Sequence, residues 1–120
     1  MATNIVVCGA AGRMGKLLVR LIHEHPTARL VGAIEAVGHP ALGKDAGEEA
    51  GVGSIGVTLS DDYAAAANGD NVTLDFTLAD VAMAHLRTAV EKGAAIAIGT
   101  TGLSAQQRAE AEHHVGHVFR

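Results

Sequence analysis

Aromatic side chains are nearly absent from this chain. Of its 120 residues none is Trp, one is Tyr and two are Phe. Proteins that stack on nucleic-acid bases need exposed rings, so that mode of binding is excluded. Basic residues do not compensate: 9 Lys and Arg stand against 13 Asp and Glu, for a net charge of −4, the reverse of a nucleic-acid footprint. No apolar run is long enough to span a bilayer, so no membrane partner is expected. Cysteine occurs once, as Cys8. An internal disulfide is therefore impossible, and a reducing, cytoplasmic setting is expected. The first strand signal begins almost at Met1, so no signal peptide is expected.

Glycine is abundant instead. The chain has 15, about twice the usual share, and Ala and Val supply much of the apolar content. Such small residues suit close packing of helices on a sheet, and the length suits one small domain. The glycines also cluster. Asn-Ile-Val-Val-Cys, ending at Cys8, reads as a buried strand and runs straight into Gly9-Ala10-Ala11-Gly12-Arg13-Met14-Gly15, which opens an amphipathic helix. A strand, a glycine-rich turn and a helix in that order form a dinucleotide-binding unit. The first glycine permits a tight turn with positive φ. The second lets a pyrophosphate approach the backbone, and the third lets the helix pack close. The helix N-terminus then offers free N–H groups to the phosphates. The spacing is G-x-x-G-x-x-G, not the more frequent G-x-G-x-x-G, and the alternative is a βα turn without a ligand.

Residues 13–23 carry Met14, Leu17, Leu18, Leu21 and Ile22 at helical spacing, which predicts a core-facing stripe stopped before Pro26. Residues 29–35 predict a strand ending in Glu35, twenty positions after Gly15. A carboxylate there holds the ribose hydroxyls of adenosine; the alternative is a solvated strand end. Residues 36–56 are loop-like, a length that is usually functional or mobile, with one helical turn expected over 45–50. A short strand follows at 57–59. Ser60 then reads as the N-cap of a helix through Ala67, with Asp61 and Asp62 in its first turn. Residues 72–76 form the next strand, ended by Thr77. A helix over 79–92 turns Val81, Ala82, Leu86, Ala89 and Val90 inward and stops at Gly93. Residues 94–98 form an apolar strand leading into Gly99-Thr100-Thr101-Gly102. Ser104 and Gln107 make a capping box for a helix to about His114, and Val118 and Phe119 begin one more strand.

Alternating strands and helices imply an α/β domain: a Rossmann-type doubly wound parallel sheet with helices on both faces. Ligands of such sheets bind outside the carboxyl ends of the strands. The glycine turn, Glu35, Asp75-Phe76-Thr77 and Gly99-Thr100-Thr101 all fall at those ends. Cys8, closing a core strand, is read as packing. His23, His25, His39 and His85 are read as surface residues, and His113 and His114 as solvated. A zinc site at His113, His114 and His117 is disfavoured, since adjacent helical residues point about a hundred degrees apart and no thiol or carboxylate nearby completes a tetrahedron. No metal is expected.

These segments together resemble the dihydrodipicolinate reductases, the 4-hydroxy-tetrahydrodipicolinate reductases of bacterial and plant lysine biosynthesis. Val7 to Gly15 looks like their opening. Leu42-Gly43-Lys44-Asp45-Ala46-Gly47-Glu48 is similar to their L-G-x-D-A-G-E, Asp75-Phe76-Thr77 to their D-F-T, and Ile98-Gly99-Thr100-Thr101-Gly102 to their I-G-T-T-G. The resemblance covers essentially the whole chain. It implies that Gly9, Ala10, Ala11, Gly12, Arg13 and Met14 hold the pyrophosphate by backbone amides and that Glu35 takes the adenosine ribose. Phe76 and Thr77 would lie on the nicotinamide side. Gly99, Thr100 and Thr101 would hold the carboxamide, with Thr100 and Thr101 also touching substrate. The implied reaction is hydride transfer from NADH or NADPH to a cyclic dicarboxylate of the diaminopimelate route.

The chain departs from the family pattern at two points. Some members follow the acidic residue with an Arg that pairs with the 2′-phosphate of NADPH; here Ala36 follows Glu35. A carboxylate without that Arg repels a phosphate, so NADH is favoured, with Arg13 able to compensate in part. The family's paired-histidine motif with its lysine, and its P-S-G-T segment, are also missing. Hence no catalytic residue is assigned, and the chain reads as a cofactor-binding domain over 1–120 without its substrate domain. It is expected to be a monomer or weak dimer, with a homotetramer for the full-length family. A non-catalytic NAD(H)-sensing module is the alternative. An atypical short-chain oxidoreductase fits less well, because Tyr63 has Ala67, not Lys, four residues on.

Overall fold

The computed structural model describes residues 2–100, 102–114 and 118–119. Six strands form one parallel sheet in the order β3-β2-β1-β4-β5-β6. They are β1 (Thr3–Cys8), β2 (Ala28–Ile34), β3 (Leu59–Ser60), β4 (Asn71–Asp75), β5 (Ala95–Ile98) and β6 (Val118–Phe119). Between them run α1 (Arg13–Glu24), α2 (Ala46–Ala50), α3 (Tyr63–Ala66), α4 (Ala79–Lys92) and α5 (Ala105–His113). This is the doubly wound α/β fold that the alternating pattern predicts. Strand order reverses at β1, which has β2 on one side and β4 on the other. That reversal opens a crevice at the carboxyl end of the sheet.

Side-chain alternation along the strands divides the core between the two faces. Val6, Cys8 and Ile34 pack with Tyr63 of α3 and with Ala82, Met83, Leu86 and Ala89 of α4. Val7 and Ala33 point the other way, toward Ile22 of α1 and Ala46 of α2. The register brings Ser60, Ile34, Cys8, Asp75 and Ile98 into one row across the sheet. Backbone hydrogen bonds continue one residue further. Glu35, Gly9, Phe76 and Gly99 donate to Ser60, Ile34, Cys8 and Asp75, respectively, at 2.8–3.1 Å. The residues that leave the sheet at its carboxyl edge are thus tied to it.

Three local expectations are corrected. The apolar stripe of α1 is not all core: Met14, Leu17 and Leu21 are 44, 38 and 52 % exposed, whereas Gly15, Val19 and Ile22 are buried. The contact at Gly15 decides which face docks, because a Cβ there would lie 2.0 Å from the Gly9 carbonyl oxygen. In α4, Met83 is buried in place of Val81, which is half-exposed. Ser60 is not a helix cap. Its carbonyl is taken by Glu35 and its hydroxyl accepts the Asp62 N–H at 3.0 Å. The cap of α3 is Asp62, which accepts from Ala65.

The loop at 36–56 is organised around Asp45, the N-cap of α2. Its carboxylate accepts from the amides of Gly47, Glu48, Ile55 and Gly56 and from the Ser54 hydroxyl. The capping box of Ser104 and Gln107 forms as predicted, and Gly93 closes α4 with a φ of 70°. Among the described residues no helix is long and apolar enough to cross a membrane.

Candidate functional site

The glycine turn is built by backbone geometry. Gly9 has a φ of +83°, and Gly12 N–H donates to its carbonyl at 3.0 Å. Gly12 is the N-cap of α1, with no side chain capping the helix. The first amides of a helix have no intrahelical partner, so those of Arg13 and Met14 are left for a ligand, and the helix dipole favours an anion there. Glu35 reaches into this turn. Its Oε2 accepts the Ala11 N–H at 2.8 Å and its Oε1 accepts the Ala36 N–H at 3.1 Å. The carboxylate is therefore positioned rather than loosely solvated.

At the end of β4 the buried Asp75 organises its surroundings. Oδ1 accepts both the N–H and the hydroxyl of Thr77, at 2.9 and 2.6 Å. Oδ2 lies 2.6 Å from His85 Nδ1. His85 is thus not the surface residue expected: its side chain is only 14 % exposed, and its ring lies 4.7 Å from that of Tyr63, tilted by 52°. A buried carboxylate needs a partner, and His85 stands one turn beyond Ala82 on the inner side of α4. An acidic residue closing an apolar strand was the signal that a partner had to exist.

The Tyr63 hydroxyl bonds Thr73 at 2.6 Å, and burial pushes its pKa up to about 12. Cys8 is fully buried. Burial first, then the charges of Asp75 and Glu35, push its thiol far above the usual range. It packs, as predicted. Cys8, Asp75 and His85 bring three possible metal-ligand atoms within 4.8 Å of one another. Two of these, Asp75 and His85, already satisfy each other by a hydrogen bond.

At the next strand end the Phe76 ring covers Gly99, where a Cβ would fall 2.2 Å from the ring. Any larger residue at 99 would displace Phe76. Thr100 is half-buried beside Gly99. Thr101 and His117 lie outside the described residues. His113 is exposed, and His114 meets it edge to face at 5.1 Å.

Between these strand ends lies a cleft of about 580 Å³. It gathers Gly9, Gly12, Glu35, Phe76 and Thr77 of the predicted residues. Ala10 and Ala11 lie within the turn, Arg13 and Met14 open α1, and Gly99 and Thr100 stand at the adjacent strand end. The cleft also takes in residues that sequence reasoning left out: the apolar Ile34, Val37, Leu78 and Val81, and the polar His39, Asp61 and His85. Exposed apolar residues directly after two strand ends were the available signal. Their convergence depended on β2 and β4 both flanking β1.

The match to known proteins is extensive. The family model described as "Dihydrodipicolinate reductase, N-terminus" matches residues 3–119. The chain is 46 % identical over 106 residues to the 4-hydroxy-tetrahydrodipicolinate reductase of Geotalea uraniireducens, covering 88 % of this chain and 40 % of that protein. It is 47 % identical over 108 residues to the enzyme of the same name from Chromohalobacter salexigens, covering 90 % and 40 %. The chain therefore spans about two fifths of the length of these relatives. Among solved structures, dipicolinate-bound dihydrodipicolinate reductase from Paenisporosarcina sp. TG-14 superposes with a TM-score of 0.68 at 20 % identity, covering 92 % of this chain and 42 % of that one. Aspartate semialdehyde dehydrogenase with NADP from Candida albicans gives 0.61 at 17 %, covering 84 % and 30 %. At such identities these structures speak for the fold alone.

Proposed function

This chain belongs to the dihydrodipicolinate reductase family, matching the N-terminal part of its members, and from that premise we propose that it is the NAD(P)H-binding half of such a reductase. The observation that carries the reading is the joint between the glycine turn and Glu35. Open helix amides and a fixed carboxylate stand side by side at the switch point of the sheet, as a pyrophosphate and an adjoining ribose diol require. Bound there, the dinucleotide supplies a hydride. The chain's own residues bind and orient it: Gly9, Ala10, Ala11, Gly12, Arg13 and Met14 at the pyrophosphate, Glu35 at the adenosine ribose, and Phe76, Thr77, Gly99, Thr100 and Thr101 toward the nicotinamide.

The hydride acceptor is a cyclic dicarboxylate of the lysine and diaminopimelate route, touched by Thr100 and Thr101. The proton donor and the groups that stabilise developing charge come from outside this chain, in the remaining three fifths of its relatives' length, so the chain alone does not turn over substrate. The setting is cytoplasmic. The isolated chain is a monomer or weak dimer, and the full-length assembly a homotetramer.

NADH is the favoured cofactor. Glu35 is negative, Ala36 offers no cation, and Asp61 faces the same cleft, so a 2′-phosphate meets repulsion. Titration of the chain with NADH and NADPH, followed by cofactor fluorescence, tests both points. Saturable binding that is tighter for NADH is expected. Tighter NADPH binding overturns the preference, and binding of neither overturns the function.

A further inference from the structure

We propose that Cys8, Asp75 and His85 form a binding site for one thiophilic divalent cation of the zinc class, seated beneath the carboxyl edge of the sheet. The three side chains come from three elements, β1, β4 and α4, and their ligand atoms lie within 4.8 Å of one another. No spacing along the chain marks the set. Cys8 and Asp75 are paired neighbours on adjacent parallel strands, so their side chains leave the same face of the sheet. The packing of α4 on that face then brings His85 to Asp75. The site needs no dinucleotide and stands independently of the cofactor reading.

The donor set suits zinc. Thiolate, imidazole and carboxylate are its usual protein ligands, at about 2.0–2.3 Å in a tetrahedron, which keeps the ligand atoms about 3.3–3.6 Å apart. Here imidazole and carboxylate stand at 2.6 Å and all three atoms within 4.8 Å, so side-chain shifts of about an ångström admit the cation. The charges also balance, because a thiolate and a carboxylate together offset a dication. The short contact holds one proton between His85 Nδ1 and Asp75 Oδ2, whichever group owns it, and the cation takes that proton's place. The thiol proton leaves as well. Burial and the charges of Asp75 and Glu35 oppose an anion at Cys8. A dication reverses that balance, since a coordinating thiol ionises outright.

The surroundings hold the ligands in place. Asp75 Oδ1 accepts both the N–H and the hydroxyl of Thr77, which turns Oδ2 toward His85. The Tyr63 ring lies against His85 and is itself anchored by Thr73. Outer contacts of this kind orient metal ligands. Cys8 and Asp75 are fully buried, whereas His85 lines the cleft and gives the cation its entry. With three protein ligands the fourth position falls to water.

Cys8 is the one cysteine of the chain, so a thiolate–metal absorption band reports this site and no other. The test strips the chain of metal with a chelator, titrates it with Cd²⁺ and follows the ultraviolet thiolate-to-cadmium band. Zn²⁺ is then added as a competitor, and imidazole ¹⁵N shifts identify the histidine that binds it. The band is expected to saturate at one equivalent and to be displaced by Zn²⁺, with His85 moving to a metal-bound shift. His85→Gln keeps the thiol, and its dissociation constant for Cd²⁺ is expected to rise at least about a hundredfold, since losing even an outer-shell partner costs up to that much.

A band that is absent or does not saturate in the unmodified chain overturns the site. A saturable band unchanged in His85→Gln assigns the cadmium to the thiol alone and overturns it too. So do zinc shifts confined to the other histidines. Should His85→Gln not fold, the stoichiometry of the band and the His85 shift in the unmodified chain decide the matter.

Discussion

Two glycines three residues apart, Gly12 and Gly15, show how differently one residue type is used. Gly15 has no space for a side chain, since a Cβ would stand 2.0 Å from the Gly9 carbonyl oxygen and 2.7 Å from Ala10 Cα. These neighbours are backbone and cannot rotate away. Gly12 has room: its Cβ would meet only the Gly9 oxygen, at 3.3 Å, and its φ of −78° is open to any residue. Gly15→Ala is therefore expected to destabilise the fold by roughly 1–3 kcal/mol or more, as overpacking does. Gly12→Ala should leave stability nearly unchanged and weaken dinucleotide binding, because the new methyl group stands where the phosphates approach. Urea unfolding and cofactor titration of the two variants separate these effects. Equal losses of stability would contradict the assignment.

Among the elements, the loop over 36–56 behaves least like its sequence suggests. Its many glycines read as irregular chain, yet one side chain gathers it. Partial burial pushes the Asp45 pKa up, but the amides of Ile55, Glu48, Gly56 and Gly47 outweigh this and hold the carboxyl below its ordinary value of 3.8. A carboxyl whose pKa is lower folded than unfolded contributes stability above the unfolded value and loses it as pH falls through the folded one. The loop is expected to stay closed from neutral pH down to about 3.8 and to open below that. Amide chemical shifts of Ile55 and Gly56 followed through an acid titration should show a transition at that lower value. Asp45→Asn, which removes the charge that the converging amides satisfy, should show the loosened shifts already at neutral pH. An unchanged loop in Asp45→Asn would remove Asp45 from this role.

Across the domain, the cleft exists only while the sheet is intact. Its walls come from residues that follow β1, β2, β3 and β4, and they meet because one row of hydrogen bonds crosses the carboxyl edge. Binding and folding are consequently linked. A ligand that binds only the folded state adds RT ln(1 + [L]/Kd), about 2.7 kcal/mol at a hundredfold excess over Kd. Saturating NADH should raise the thermal unfolding midpoint in proportion to the logarithm of its concentration. A midpoint indifferent to NADH would mean that the cleft does not hold it.

The order of strands and helices, the glycine turn, the capping box at Ser104 and the acidic tip of β2 were all legible along the chain. Each depends on neighbours within a few residues: a hydrophobic period, a φ that only glycine accepts easily, a side chain reaching an amide three positions on. The pairing of Asp75 with His85, the exposure of Met14, Leu17 and Leu21, and the gathering of loop amides on Asp45 were not. They depend on distances between segments that no local pattern encodes. Hydrophobic spacing showed that α1 is amphipathic, but the contact between Gly15 and Gly9 chose the face that docks. The sequence put a carboxylate at the end of a buried strand, and the packing of α4 against β4 brought a histidine to it, because a buried charge must find a partner wherever the fold places one.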